Sequence, residues 1–373
     1  MLTNPSFCPM PWSGIMYNFD GEVKNCIRSS GLIGNIKDNT IEEIISKNTA
    51  RQQIQQSQPV PTCNPCYDLE KDKRSFDIIS DRVFYIKELK SVDRNLYSTN
   101  NFDLTTVDIR WSNLCNFGCV YCGPQFSSKW SSELDIHPET PTDQQRESFK
   151  NYIMDKAPQL KHVYMAGGEP LLMKENLELL ARLNPDVNLR INTNLSRTNT
   201  KIFDKICEFK NVQWTVSAET IEEEYEYIRH GGVWKDFLEN LTIIQKLNHK
   251  INFNMLHFIL NYNSLFDAIL FFQKMGFHNN SFVVGAMLNP EYLNIRNLPE
   301  HVLHSIIKKL DSLINNRPGY LLEDSYRNLR SYLSQPYTGN LSNTFQRLGK
   351  LDSRRGLDSS KIFKDLYKLK EGK

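Results

Sequence analysis

Three cysteines fall within eight positions of one stretch, LCNFGCVYCG: Cys115, Cys119 and Cys122. Soft thiolates at such short spacing select zinc or an iron–sulfur cluster. A structural zinc centre or a fully ligated cluster wants four thiolates. Three leave one coordination position open to a small molecule, and an open metal is where chemistry happens. A second set lies towards the N-terminus: Cys8, twelve residues, Gly21, four more residues, Cys26, and much later Cys63-Asn-Pro-Cys66. Four thiolates suit either a closed zinc site or a fully ligated iron–sulfur cluster, and local chemistry alone places zinc first. The eighth cysteine, Cys207, shares apolar helical spacing with Phe203, Ile206 and Phe209 and reads as a small buried hydrophobe.

Six short β-like runs can position such groups: 105–111, 161–167, 189–194, 212–218, 252–260 and 281–287. Helical patterns separate most of them, such as DQQRESFKNYIMDKA and GVWKDFLENLTIIQKL, and strands alternating with helices predict parallel βα units. Buried parallel strands normally read as continuous apolar runs. Here every second residue is polar in strand after strand: Asp108 and Arg110, His162 and Tyr164, Arg190 and Asn192, Gln213, Thr215 and Ser217, Asn252 and Asn254. A barrel whose lumen holds a polar ligand explains this, with Arg110, Tyr164, Arg190, Gln213 and Asn254 as substrate-pocket candidates. Some should instead be internal pairs, such as Asp108 with an arginine. Near the N-terminus GIMYNFDGEVKNC predicts a hairpin turned at Asp20-Gly21, and Asn39-Thr40 followed by Glu43 predicts the start of a helix through TIEEIISKNTARQQIQQ.

Cys-x3-Cys-x2-Cys, with Tyr121 just before the last cysteine, resembles the signature of radical S-adenosylmethionine (SAM) enzymes. The resemblance implies that Cys115, Cys119 and Cys122 hold a [4Fe-4S] cluster whose open iron takes the amino and carboxylate groups of SAM. One electron then cleaves SAM to methionine and a 5′-deoxyadenosyl radical, which abstracts hydrogen from a substrate. It further implies that Gly167, Gly168, Glu169 and Pro170, in YMAGGEPLL, hold the SAM amino group. Glycines admit close backbone approach, and a carboxylate accepts hydrogen bonds from an ammonium. Asn192, Asn194, Ser217 and Arg229 match more loosely the positions that contact the SAM ribose or carboxylate, with Tyr121 beside them.

The N-terminal pattern resembles the half-length SPASM module called the twitch domain. On that resemblance Cys8, Cys26, Cys63 and Cys66 hold an auxiliary [4Fe-4S] cluster rather than zinc. Such modules usually follow the barrel, whereas this one precedes it. The expected architecture is α/β: a twitch module over 1–75, a linker over 76–100, a partial (β/α)6 TIM-like barrel over 101–290, and a helical C-terminal extension over 291–373 capping the barrel's open edge.

The expected activity is hydrogen abstraction from a small polar molecule, a sugar or a peptide side chain. The second cluster favours a net oxidation by accepting an electron, with flavodoxin or ferredoxin as reductant. The alternatives are an epimerase and a zinc-stabilised scaffold without catalysis. The chain of 373 residues carries a net charge of only +2, with both signs mixed along it. No basic stripe argues for nucleic acid, no N-terminal apolar run reads as a signal peptide, and no run approaches the ~18–20 residues of a membrane span. A cytoplasmic location is expected.

Overall fold

In the computed structural model residues 6–71, 80–88, 101–316, 321–336 and 339–370 are described. The expected linker over 76–100 therefore lies, apart from 80–88, outside the described residues.

Nine strands form one sheet: β1 Gly14–Tyr17, β2 Glu22–Lys24, β3 Gly34–Asn35, β4 Thr106–Ile109, β5 His162–Met165, β6 Asn188–Thr193, β7 Val212–Ser217, β8 Lys250–His257 and β9 Phe282–Ala286. Their order is β3-β2-β1-β4-β5-β6-β7-β8-β9. From β4 to β9 each strand pairs in parallel with the next, and helices run between them, including Asp143–Lys156, Lys174–Leu180, Lys201–Ile206, Trp234–Gln245 and Leu265–Lys274. These are the six βα units that the alternation predicts, in a sheet that stays open.

Period-2 alternation decides which face is which. Along β7 the residues alternate between buried and half-buried. Val212, Trp214 and Val216 lie in the main core, as do Leu189 and Ile191 of β6 and Phe253 of β8. Phe253 stacks on Phe272 of the helix outside it at 4.5 Å and on Phe282 of β9 at 5.3 Å. The opposite face carries the polar residues, and parallel pairing puts them in level rows: Asp108, Tyr164, Arg190, Gln213 and Lys250, then Asn192, Thr215 and Asn252, then Ser217 and Asn254.

The hairpin does not stand apart from the barrel. β1 and β2 pair antiparallel around a turn containing Gly21 at φ +94°, and β1 also pairs in parallel with β4, Ile15 opposite Val107. Ile15, Tyr17 and Val23 accordingly belong to the main core.

The helix after Thr40 is shorter than expected. Thr40 and Glu43 form a capping box, but Ile41–Ser46 ends and a second helix, Ala50–Gln55, begins after a break. Asn48 makes that break: its Oδ1 accepts from the Ala50 N–H while its Nδ2 donates to Asn25 Oδ1. Asn competes with helical bonding through such local side-chain contacts.

After β9 the helices Glu300–Asn316 and Leu321–Leu333 cover the sheet's last strand, with the Val284 N–H donating to Ser325 Oγ at 3.2 Å. The helix Ser342–Arg355 ends with Arg355 against Glu133 and Trp130. Among the described residues no helix is long and apolar enough to cross a membrane.

Candidate functional site

In open parallel sheets ligands sit beyond the carboxyl ends of the strands, and that is where the cysteine triplet lies. The loop carrying it follows β4 and is fastened from several sides. The Gly118 N–H donates to the His230 carbonyl, and the Val120 N–H donates to that of Ile228, both at 2.8 Å. Trp130 Nε1 donates to the Cys119 carbonyl at 2.8 Å, and the Tyr292 hydroxyl donates to that of Val120 at 3.0 Å. The C-terminal extension reaches the same loop. Arg355 is buried on the ring of Trp130, 4.4 Å from the centroid, and pairs with Glu133 at 2.9 Å. Arg355 thus anchors the C-terminal extension against the cluster loop.

Three nitrogen donors point at the sulfurs: the Phe117 N–H at 3.4 Å and Asn194 Nδ2 at 3.8 Å from Cys115 Sγ, and Arg229 Nη1 at 3.9 Å from Cys119 Sγ. Hydrogen bonding from Cys122 holds the Cys119 thiol below its usual pKa, with Arg229 adding to the effect, while Cys122 is driven well above its own. Burial pushes Cys115 up to about 12.

The Gly-Gly-Glu-Pro turn sits directly beneath this loop. A Cβ on Gly168 would lie 2.2 Å from the Leu114 carbonyl oxygen and 2.6 Å from the Asn113 carbonyl carbon. The cluster loop itself therefore needs the glycine, because the Leu114 carbonyl leaves no room for a side chain. Glu169 is fully buried. Its carboxylate accepts from Thr193 Oγ1 at 2.8 Å, the Leu171 N–H at 3.1 Å and the Asn194 N–H at 2.7 Å. Burial pushes its pKa up to about 7 against the pull of those donors. It ties the turn to the end of β6, where Leu195 takes φ +54°, a left-handed conformation that costs a branched residue about 1–2 kcal/mol. Asn194 carries the connection on to Cys115.

Arg229 also has a different place from the one its motif position implies. It is 4% exposed, and its Nε and Nη2 donate to the two carboxylate oxygens of Glu219 at 2.8 and 2.7 Å. The Tyr121 hydroxyl donates to Glu219 at 3.0 Å, and the Arg229 guanidinium lies 5.8 Å from the Tyr121 ring. Both residues therefore support the loop from within, with Arg229 Nε and Nη2 held by Glu219 and Nη1 directed at Cys119 Sγ. Sequence reading missed Glu219. Its position two residues beyond Ser217, at the end of β7, was the available signal.

On the concave face Arg110 pairs with Asp108 at 2.5 Å, the internal pair foreseen from the alternation. Burial raises the Asp108 pKa to about 6 in spite of that partner. Arg110 and Arg190 approach the Tyr164 ring, 5.9 and 5.3 Å from its centroid. Gln213 and Ser217 are half-buried on this face, and Asn254 is exposed. Asn192 lies in the middle row, with a buried Oδ1 that has no partner. Cys207 follows the outer helix Lys201–Ile206 and packs against the outer core.

At the strands' amino ends a cavity of about 590 Å³ is walled by residues that include Asp108, Tyr164, Arg190, Gln213, Tyr85 and Cys26. Cys26 links it to the second thiol set. Cys8, Cys63 and the neighbouring Met10, Trp12, Ala50, Ile54 and Val60 form a small core of their own, against which Cys26 packs. Burial drives Cys8 well above its usual pKa, with Cys26, Cys63 and Cys66 adding to it. Burial likewise raises Cys26 to about 12 and Cys63 to about 11.

All eight cysteines are free thiols. Among the described residues no three His, Cys, Asp or Glu side chains converge tightly enough for a single ion. In a four-iron cluster each thiolate ligates its own iron, so the ligands need not meet at one point. Two sets of grouped free thiols, one of them with nitrogen donors on its sulfurs, fit such clusters.

Comparison with known proteins agrees. Residues 109–272 match the radical SAM superfamily, and residues 8–67 match an iron–sulfur cluster-binding domain, SPASM. The chain thus carries a radical SAM domain, with a SPASM-type iron–sulfur domain ahead of it. A [4Fe-4S] cluster and SAM are the cofactors of the first domain, and the second brings further iron–sulfur ligation.

The chain is 24% identical over 225 residues to a GTP 3′,8-cyclase of Campylobacter lari, a match covering 57% of this chain and 67% of that protein. It is 34% identical over 107 residues to a 7-carboxy-7-deazaguanine synthase of Clostridium acetobutylicum, covering 28% and 42%. A second GTP 3′,8-cyclase, of Sulfurimonas denitrificans, is matched over half its length. Among solved structures, SuiB of Streptococcus suis bound to precursor peptide SuiA superposes with a TM-score of 0.42 at 15% identity, over 71% of this chain and 63% of that one.

Proposed function

We propose that this chain is a catalytically active radical SAM enzyme acting on a polar substrate held in the lumen. When bound, the cluster and SAM supply a 5′-deoxyadenosyl radical by one-electron reductive cleavage. Cys115, Cys119 and Cys122 are the ligands of that cluster. The Gly167-Gly168-Glu169-Pro170 turn, Asn192, Asn194 and Ser217 line the place for SAM, while Tyr121, Glu219 and Arg229 hold the loop's shape. Cys8, Cys26, Cys63 and Cys66 ligate the auxiliary cluster, in a module that spans about residues 1–75 and shares its hairpin with the barrel sheet. Arg110, Tyr164, Arg190, Gln213 and Asn254 face the substrate, a small molecule, a sugar or a peptide side chain. The reaction is a net oxidation, with flavodoxin or ferredoxin as the electron donor.

One observation carries this reading. The buried Glu169 carboxylate, through Asn194, joins the Gly-Gly turn to Cys115 at the carboxyl ends of the strands, directly above a polar concave face. Cys207, packed against the outer core, is poorly placed to return a hydrogen to the lumen as an epimerase would need.

The test uses anaerobically reconstituted protein with SAM and dithionite, and quantifies 5′-deoxyadenosine by mass spectrometry beside the Cys115/Cys119/Cys122→Ala triple variant. Deoxyadenosine from the wild type alone is the expected result. Zinc without iron or sulfide in the purified protein would show a scaffold instead.

A further inference from the structure

We propose that the amino-end half of the lumen is an anion-binding subsite, built by Arg190 and Lys250, and that the substrate is a small hydroxylated or aminated acid anchored there. This rests on the reading of the lumen as the substrate chamber, and it adds a residue, Lys250, and a chemical class to it.

Parallel register sets Arg190, Gln213 and Lys250 side by side on β6, β7 and β8, and all three wall the 590 Å³ cavity. The other cations near that wall have acids beside them. Arg28 pairs with Asp81 at 2.7 Å, Arg110 with Asp108 at 2.5 Å, and Lys210 lies 3.9 Å from Asp186. Among the described residues neither Arg190 nor Lys250 forms an ion pair, although the Arg190 charge acts on the Asp108 carboxylate of the same wall. Among the described residues that wall the cavity, Glu88 is the one acid without an ion pair. The Tyr164 ring, 5.3 Å from the Arg190 guanidinium, holds that group by a cation–π contact that leaves its edge donors free. A guanidinium fork, an amide and an ammonium in one row match the oxygens of a carboxylate or a phosphate.

A second, independent observation points to the rest of the ligand. One step nearer the cluster loop, on the same three strands, stand Asn192, Thr215 and Asn252, again in register. Each has a buried side-chain oxygen with no hydrogen-bond partner among the described residues. An unmet buried polar group is costly, and one row holds three of them. With Asn192 assigned to SAM, a ligand bearing hydroxyl or amino donors next to its acid supplies what Thr215 and Asn252 lack. The order along the lumen is then acid at the cations, donors at the middle row, and the reacting carbon towards the cysteine loop.

The experiment is anaerobic titration calorimetry on the reconstituted protein with SAM present, using three probes of one carbon skeleton: ribose 5-phosphate, ribonate and neutral ribitol. We expect at least one acid to bind about tenfold or more tighter than ribitol, and the better of the two tells phosphate from carboxylate. The Arg190→Gln/Lys250→Gln variant should lose that advantage, and the charge-keeping Arg190→Lys/Lys250→Arg variant should retain most of it. Near-UV circular dichroism reports folding. If the glutamine variant does not fold, the wild type decides: millimolar inorganic phosphate should displace the acid where chloride of equal ionic strength does not. Acids that bind no better than ribitol, or equally well to the glutamine variant, overturn the proposal. Protein that makes deoxyadenosine yet shows no charge preference loses only the anion site. Protein that makes none yet binds acids through Arg190 and Lys250 loses only the radical chemistry.

Discussion

Cys115, Cys119 and Cys122 sit on one loop, and beside nearby Trp130 what holds that loop comes from far along the chain: Arg229 with Glu219, Tyr292 and Arg355. Cys8, Cys26, Cys63 and Cys66 are spread from residue 8 to residue 66, and what gathers them is largely local. Helix Ala50–Gln55, the segment 60–66 and a few apolar residues around Trp12 form a satellite core separate from the barrel's. The first site borrows its shape from a large core, while the second must make its own. Small cores supply little net stability, so the N-terminal site should depend on its bound cluster far more than the cysteine loop does. The hairpin lies between the two cases, because β1 is tied to β4.

The sharpest test of that contrast is Arg229→Met. Removing one partner of a buried ion pair strands the other charge and costs about 3–5 kcal/mol. A global drop in thermal stability is expected, with loss of roughly half the bound iron. Removing both charges, in Arg229→Met/Glu219→Met, should regain part of the loss. If Arg229→Met leaves melting unchanged, the loop is not held by the barrel.

In the satellite core, Ile54→Ala should cost about 3 kcal/mol, but locally. Hydrogen exchange should accelerate over residues 50–66, with the amides of β4 to β9 unaffected. Acceleration through the barrel strands would erase the distinction between the two regions.

The barrel core carries its own pH signature. His257 is fully buried, and burial holds its pKa down at about 4, against about 6.5 in an unfolded chain. A lowered histidine pKa means that the folded state resists protonation. Its contribution is therefore fully present above pH 6.5 and is lost as pH falls from 6.5 towards 4, by at most about 3 kcal/mol. His257→Gln should flatten that part of the stability curve for the barrel and leave exchange over 50–66 as before.

The smallest effect belongs to Thr40→Ala. It removes the capping box over Ile41–Ser46 and costs about 1 kcal/mol in denaturant melts. Ile41 and Ile44 pack in the main core, so this loss should follow the barrel's transition rather than the satellite's.

Much of this was legible in the amino-acid order because it depends on spacing. Ligand types and the two thiol sets follow from cysteine positions. Period-2 alternation marks one face of the sheet as polar, and Thr40 with Glu43 marks a helix start. The helix break at Asn48 was not legible, because Asn25, which meets it, lies on a different element. The resemblance implied Arg229 as a SAM contact, and its guanidinium turns inward to Glu219. No local pattern shows which way a long side chain will point at a strand end.

The sequence by itself thus determined the donor set, the parallel βα order and the two-faced strands, since each is a matter of residue type and period along the chain. Only the tertiary structure decided that Gly168 yields to the Leu114 carbonyl, that Arg355 closes over the cysteine loop, and that Arg190 and Lys250 stand in one row without an ion pair among the described residues. Those depend on register and on contacts between residues far apart along the chain, and strand pairing sets such relations in space, where no spacing along the chain records them.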